Sequence, residues 1–322
     1  MKKFNFAWEH GVVVFLICVI GAGSLMSPYF ATTDNLSFVL QDVGEIAIIA
    51  LAMTYLIIAG EIDLSVASTL NLSSAALGFA FRNGISFEVS IVIGLLVGLI
   101  CGLINGYLVT IIGLPSLAVT IGTLALYRGL AYALLGNEPV NELPDAWINL
   151  GVTNIPNTFL PWSVIPLAVL GAIAWVVLHY TRIGRWTFAI GINAEAAKFS
   201  GIPVARMKLA LFAATGLMSG VAGVVYTLRF ASASPDGAVG YELGVIAAVL
   251  FGGVAIAGGV GSLWGVLAAV LSLGAIRSAL QLADFSANAL LVVSGALLLV
   301  SVVVPRAIVI YKGRRKSVVA NK

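Results

Sequence analysis

The sequence is poor in the residues that usually carry catalytic chemistry. Only two cysteines and two histidines occur among 322 residues, and charged side chains make up 10%. Cys18 and Cys101 lie within apolar runs without metal-ligand spacing, so we expect small packing residues rather than disulfide partners. There is no H-E-x-x-H, C-x-x-C or G-x-S-x-G motif. The sequence therefore predicts no catalytic residue, no metal site and no enzyme activity of its own.

The sequence also lacks a nucleotide-binding motif. G-x-x-x-x-G-K-[ST] does not occur, and the glycine-rich stretch 251–265 follows no strand, as a dinucleotide site would require. If ATP drives this protein, another subunit must bind it, and we expect no cofactor on this chain. The net charge of +3 gives no sign of nucleic-acid binding.

Long apolar runs dominate what is present. Hydrophobic residues make up 60% of the chain and the mean hydropathy is +1.07, whereas about half of a soluble domain is apolar. The 35 glycines allow helices to pack closely in lipid. Since a membrane-spanning helix needs about 20 apolar residues, we predict an all-α polytopic membrane protein. Its transmembrane helices number about ten and lie near 10–28, 38–59, 64–81, 86–112, 115–136, 161–180, 208–229, 240–258, 261–281 and 285–305.

Lysine and arginine are concentrated in three places. Thirteen of the 17 lie in residues 1–9, in a basic segment at 181–208, or at 306–322. The positive-inside rule puts all three, and hence both termini, on the cytoplasmic side. Segment 137–160 has acidic residues but no Lys or Arg, which is typical of an external loop. We therefore predict a cytoplasmic N-terminus at 1–9, a transmembrane domain at 10–305 that includes the basic segment, and a basic cytoplasmic tail.

In each of two close pairs of spans, a glycine-containing interruption separates the two members of the pair. In the first, AGEIDLS, Gly60 permits a broken helix, Glu61 adds a charge, and Asp63 suits an N-cap. The polar helix that follows has two interpretations: it lines a hydrophilic path, or it caps and hydrogen-bonds packed helices. The second interruption, FGGVAIAGGVGSLWG at 251–265, holds a comparable place in the second half. This correspondence suggests a five-plus-five internal repeat.

Further charges lie inside apolar runs or at their ends, where an ion is costly and usually faces the protein interior or a water-filled path. They are Asp42, Glu45, Arg128, Arg229 and Arg277. In an ion-coupled secondary transporter, Glu45, Glu61 or Asp63 would carry a proton or sodium ion in broken helices at the midplane. A membrane enzyme would need clustered His, Asp or Ser residues near one interface, and the sequence has no such cluster.

Several segments together resemble one known family. They are AGEIDLSVAS, GLINGYLVTIIGLPSLAVTIGTLALYRGLA at 102–131, GRWTFAIGINAEAAKFSGIPV at 184–204, and FGGVAIAGGVGSLWGVLAAV at 251–270. In this order they resemble the permease subunits of bacterial carbohydrate-importing ABC transporters, the branch with ribose, xylose, rhamnose and autoinducer-2 importers. The resemblance covers residues 38–304. Glu61 departs from it, because many relatives have a glycine there.

The resemblance implies a multi-pass subunit of the bacterial plasma (inner) membrane. Its partners would be a second permease, identical or related, ABC ATPase subunits that bind and hydrolyse ATP, and an extracytoplasmic sugar-binding protein. The expected function is import of a sugar or sugar-like molecule by alternating access, with rhamnose or autoinducer 2 favoured. Polar groups inside apolar spans then become candidates for the translocation path, namely Ser68, Asn71, Asn105 and Thr120.

The resemblance also gives the basic segment a role. Seven of its residues match the family's cytoplasmic coupling segment, which docks on the ATPase: Asn193, Glu195, Ala196, Ala197, Ser200, Gly201 and Ile202. Residues 194–199 can form a short helix that Gly201 and Pro203 would end. Because so short a helix is marginal alone, it would have to pack in a cleft of the partner. The alternative is a solvated basic loop that only sets the topology.

Overall fold

The protein is helical throughout the part that its computed structural model describes, which is residues 8–285 and the isolated positions 292, 295, 296, 299 and 303. Within that part there are two isolated backbone bridges but no strand. The helices are α1 Trp8–Met26, α2 Thr33–Asp42, α3 Gly44–Ile58, α4 Val66–Arg82, α5 Phe87–Thr110, α6 Ser116–Leu135, α7 Asp145–Val152, α8 Val164–Tyr180, α9 Arg182–Ile192, α10 Ala194–Phe199, α11 Val204–Phe230, α12 Tyr241–Phe251 and α13 Leu263–Leu282.

Five of these helices are long and apolar enough to cross a membrane, namely α1, α5, α6, α11 and α13. Two bent pairs raise the number to seven, since α2 and α3 meet at 44° and α8 and α9 at 68°. Helix α4 has 17 residues and α12 has 11, both short of the length of a full crossing, about 20 residues. The all-α polytopic fold is thus confirmed, whereas the count of ten, the position of the termini and the repeat stay predictions. Most of the predicted span 285–305, the tail 306–322 and most of segment 1–9 lie outside the described residues.

Helix α3 forms the centre of the bundle. All 15 of its residues are buried, as expected for a helix that is apolar on every face. Helix α11, the longest with 27 residues, packs on α3 and crosses α5 through small residues. A β carbon on Gly98 of α5 would come within 2.6 Å of the Gly216 carbonyl oxygen of α11. The close backbone approach that glycine allows in membrane helices therefore holds the two longest helices together.

Contacts between distant residues define two ends of the bundle. At one end, which we call the loop end, Val140 and Ala233 form an antiparallel bridge and Ser37 binds Asn154. At the other, which we call the docking end, the Gly259 amide donates to the Ile58 carbonyl over 2.8 Å. The α3–α4 and α12–α13 interruptions both lie at the docking end.

The basic segment is more ordered than a loop. Its first part is helix α9, which the sequence did not predict, and α11 begins at Val204 rather than at 208. Gly184 of α9 sits against the backbone of Leu178, where a β carbon would collide with the Leu178 carbonyl. The segment thus folds back tightly on the end of α8 and carries α10 at the docking end.

Candidate functional site

Helix α10, which we call the docking helix, is fixed at its start by an asparagine cap. Asn193 has extended backbone (φ −161°, ψ 106°), and its Oδ1 accepts a hydrogen bond from the Ala196 amide over 3.0 Å. Such a cap satisfies one of the amide donors that every helix start leaves free. The predicted helix at 194–199 is confirmed with the same bounds.

A glycine turn ends the docking helix. Gly201 has φ +83°, the left-handed conformation that glycine adopts without a steric penalty. The Ile202 amide donates to the Ala197 carbonyl over 3.1 Å, and the Gly201 amide donates to the Lys198 carbonyl over 3.0 Å. These two bonds make a Schellman motif, so the predicted stop at Gly201 is confirmed as well.

The predicted docking residues divide between two faces. Ala197 is buried and Ile202 packs against the core, so these two anchor the docking helix to the permease itself. Glu195, Ala196 and Ser200 are exposed. Only the exposed face is free to meet a partner in this structure.

The two most exposed apolar residues of this region were not predicted as site residues from the sequence. The Phe199 side chain is 92% exposed and that of Ile192 is 75% exposed. In the sequence the signal was an aromatic residue at the end of a short, otherwise Ala-rich helix. The direction in which that ring points follows from the packing of Ala197 and Ile202, which local sequence does not specify.

The α3–α4 interruption turns at Gly60, which has φ +83°. Its neighbour Glu61 forms an ion pair with Lys208 of α11, and both side chains are mostly buried, at 13% and 18% exposure. The acidic group of the interruption is therefore neutralised by a cation of the basic segment.

Asp63 organises a buried hydrogen-bond network. Its Oδ1 accepts from the Ser65 amide over 2.8 Å and from the Ser65 hydroxyl over 2.6 Å. Asn105 of α5 donates to the Ser65 hydroxyl over 2.8 Å, and Tyr127 of α6 donates to Asn105 Oδ1 over 3.2 Å. Ser65, rather than Asp63, occupies the N-cap position of α4. The network ties the interruption to α5 and α6.

The candidate path residues Ser68, Asn71, Asn105 and Thr120 are all fully buried within the chain. Asn71 donates to the carbonyl of Pro235, in the loop between α11 and α12. The Ser68 and Thr120 hydroxyls donate to carbonyls of their own helix turns, Ser65 and Ser116, over 2.8 and 2.9 Å. Asn105 and Ser68 both donate to Ser65, and each of the four has a hydrogen-bond partner in this conformation.

A second set of charges closes the loop end. Arg229 of α11 donates to Asp42 over 2.9 Å and lies 3.2 Å from Glu45, and Arg277 of α13 lies 3.0 Å from Asp42. We call these four residues the ion clamp. It joins α2, α3, α11 and α13 at the bend between α2 and α3, and its two cations balance its two anions.

Arg128 of α6 is a further charge within an apolar helix. Its Nε and Nη2 atoms are buried and have no hydrogen-bond partner within the described part of the chain. Among residues 8–285 there is also no group of three or more His, Cys, Asp or Glu side chains able to hold a metal ion.

Comparison with known proteins now identifies the family. Residues 35–302 match the family described as "Branched-chain amino acid transport system / permease component". The ribose import permease protein RbsC of Bacillus subtilis (strain 168) is 35% identical over 299 residues, 92% of this chain and 91% of the relative. The chain belongs to this permease family.

A second relative covers nearly the whole permease. It is the autoinducer 2 import system permease protein LsrD of Escherichia coli (strain K12), 35% identical over 326 residues, which are 99% of this chain and 98% of the relative. No solved structure matches the permease significantly. As a member of this ABC permease family, the protein lies in the bacterial inner membrane.

Proposed function

We propose that the permease is the membrane-spanning subunit of an ATP-driven, binding-protein-dependent importer for a sugar or sugar-like small molecule. Family membership and full-length similarity to two import permeases support the class. The relatives named for ribose and for autoinducer 2 are both 35% identical to the chain. The similarity thus favours neither ribose nor autoinducer 2 as the substrate. The sequence favoured rhamnose or autoinducer 2, and of these only autoinducer 2 appears in the name of one of the two relatives.

The observation that carries the proposal is the exposed ring of Phe199 on a capped, anchored helix. A six-residue helix is too short to be stable by itself, so its caps and the buried Ala197 hold it rigid. Aromatic anchors that fill a pocket supply much of the free energy of protein association. The docking helix is therefore proposed to insert Phe199 into a cleft of the ATPase subunit, with Glu195, Ala196 and Ser200 around it.

In the proposed mechanism, a loaded binding protein meets the external face while ATP closes the two ATPase subunits. Their movement displaces the docking helices and, through them, the flanking helices α9 and α11. Two permease chains, identical or related, enclose the path along their shared axis. Ser68, Asn71, Asn105 and Thr120 are proposed to line that path in the open state, when the hydrogen bonds that now occupy them rearrange.

The alternative is an ion-coupled secondary transporter that uses Glu45, Glu61 or Asp63. The two glutamates are paired with Arg229 and Lys208, and Asp63 accepts bonds from Ser65. A carrier of this kind also needs no docking helix. Transport into vesicles without ATP, abolished by an ionophore, would favour this alternative.

The test of the docking role is co-purification of the permease with its ATPase subunit. Gly201→Glu, or deletion of residues 194–200, is expected to abolish co-purification while the chain still inserts into the membrane. Gly113→Glu is the matched control, because Gly113 has φ +84°, close to the +83° of Gly201, and a β carbon meets open space at both positions. Undiminished co-purification of the Gly201 variant would refute the docking role.

A further inference from the structure

Gly191 lies at a junction of three backbones. It belongs to the last turn of α9, two residues before the cap of the docking helix. A β carbon on Gly191 would collide with the Ile58 carbonyl at the end of α3 and with the backbone of Gly259 in the α12–α13 interruption. The turn that leads into the docking helix is thus in direct backbone contact with both interrupted helix pairs.

The two interruptions also bind each other at this junction. The Gly259 amide donates to the Ile58 carbonyl over 2.8 Å. Gly258 and Gly259 have φ +82° and +76°, and Gly60 has φ +83°. Since left-handed backbone costs glycine little, rotation at these three residues can occur without moving bulky side chains.

A second connection lies on the other side of the docking helix. Lys208, in the second turn of α11, forms the ion pair with Glu61 of the α3–α4 interruption. Beside this pair is a cavity of about 450 Å³, whose lining includes Glu61, Lys198, Arg206 and Lys208. Through Lys198 the docking helix borders the same cavity as the ion pair.

We propose that Gly191 and the Glu61–Lys208 pair are positioning residues that transmit displacement of the docking helix to the two helix interruptions. The inference rests on the proposed docking of an ATPase. Gly191 is the fixed point of this connection, because its backbone packs directly on those of Ile58 and Gly259. The ion pair is a latch, because its two long side chains reach the edge of the cavity and can part and rejoin.

The test is hydrogen exchange of the complete permease–ATPase complex in lipid nanodiscs, with and without a non-hydrolysable ATP analogue and Mg²⁺. In the natural chain the nucleotide is expected to change exchange at 190–203 and also at 58–66 and 252–262. Gly191→Ala and Glu61→Gln should keep the change at 190–203 but reduce it at 58–66 by about threefold or more. Gly122→Ala is the control, because a β carbon meets open space there. It should leave the nucleotide-dependent change in hydrogen exchange the same in all three segments.

Swapping the charges at positions 61 and 208 distinguishes an ion pair that transmits movement from one that only stabilises the fold. Glu61→Lys alone should uncouple residues 58–66 from the docking helix, and Glu61→Lys together with Lys208→Glu should restore the nucleotide response. If Gly191→Ala fails to fold, the Glu61 series still decides the matter, because it leaves the backbone packing intact. A full response at 58–66 in Glu61→Gln and Glu61→Lys would overturn the inference while docking stands. No response at 190–203 in the natural chain would overturn both proposals.

Discussion

The guanidinium of Arg229 lies 3.2 Å from the carboxylate of Glu45, a side chain that is completely buried. The two residues are 184 positions apart in the chain. Their contact fixes the loop end of α11 against the bend between α2 and α3. An anion buried in a membrane protein is tolerated when such a partner accompanies it.

Removal of Arg229 is therefore expected to destabilise the permease strongly. Arg229→Met leaves the Glu45 carboxylate buried without its cation, which costs about 3–5 kcal/mol of folding free energy. Thermal unfolding of the purified chain in detergent measures the effect. Arg185→Met, which removes an exposed arginine from α9, should leave the midpoint almost unchanged. The double variant Arg229→Met with Glu45→Met should be more stable than Arg229→Met, and equal midpoints would contradict a charge effect.

Glycines of the α5–α11 crossing should not tolerate a methyl group. In Gly98→Ala the new β carbon meets the Gly216 carbonyl oxygen at 2.6 Å and Gly220 Cα at 2.8 Å. The helices must then separate, at a cost of about 1–3 kcal/mol. Gly122→Ala on α6 meets no atom within 4 Å and should stabilise the chain by up to about 1 kcal/mol through helix propensity. Opposite shifts in the thermal midpoint are the expected result, and a loss of similar size in both variants would contradict it.

Phe199 should dominate the affinity for the ATPase. Phe199→Ala is expected to weaken binding by about 30-fold or more, because the ring is 92% exposed and contributes almost nothing to the fold of the permease. Binding of the purified ATPase to nanodisc-embedded permease gives the dissociation constant. Phe79→Ala, on α4, removes a ring of a residue that is 39% exposed and serves as the control. An unchanged dissociation constant for Phe199→Ala would remove the ring from the interface.

Ser68 and Thr120 offer the clearest test of the translocation path. Each hydroxyl donates only to a carbonyl of its own helix turn, so Ser68→Ala and Thr120→Val should change stability by less than about 1 kcal/mol. A lower transport rate in proteoliposomes would then report contact with the substrate rather than loss of fold. Asn105→Ala should lose both stability and transport, because it also removes the buried hydrogen bond from Asn105 to the Ser65 hydroxyl. Normal transport by both hydroxyl variants would exclude these two residues from the path.

Local sequence specified the docking helix well and its surroundings poorly. Asn193 and Gly201 determine the start and the end of α10 through bonds that reach at most five residues along the chain, so those bounds could be predicted. Helix α9 could not, because its glycines disfavour a helix in isolation and its stability comes from packing. Gly184 against Leu178 and Gly191 against Ile58 are contacts that only the tertiary fold brings together.

The same limit applies to the charged residues. The sequence singled out Asp42, Glu45, Glu61 and Arg229 because ions are costly in apolar runs, but it did not pair them. The partner of Glu61 lies 147 residues further along the chain, a separation at which no helix or strand periodicity applies. The bend between α2 and α3 was also missed, since its ion clamp depends on Arg229 and Arg277 from distant helices.

The exposure of Phe199 has a consequence for the steady-state abundance of the permease in the cell. If the docking helix lies on the predicted cytoplasmic side, a chain made without the proposed ATPase partner leaves the phenyl ring of Phe199 uncovered there. Chaperones and proteases continuously triage non-native chains, and they can tell an orphan subunit from an assembled one by such a ring. We expect the steady-state amount of the permease to follow that of the ATPase, so that subunit stoichiometry is enforced by degradation.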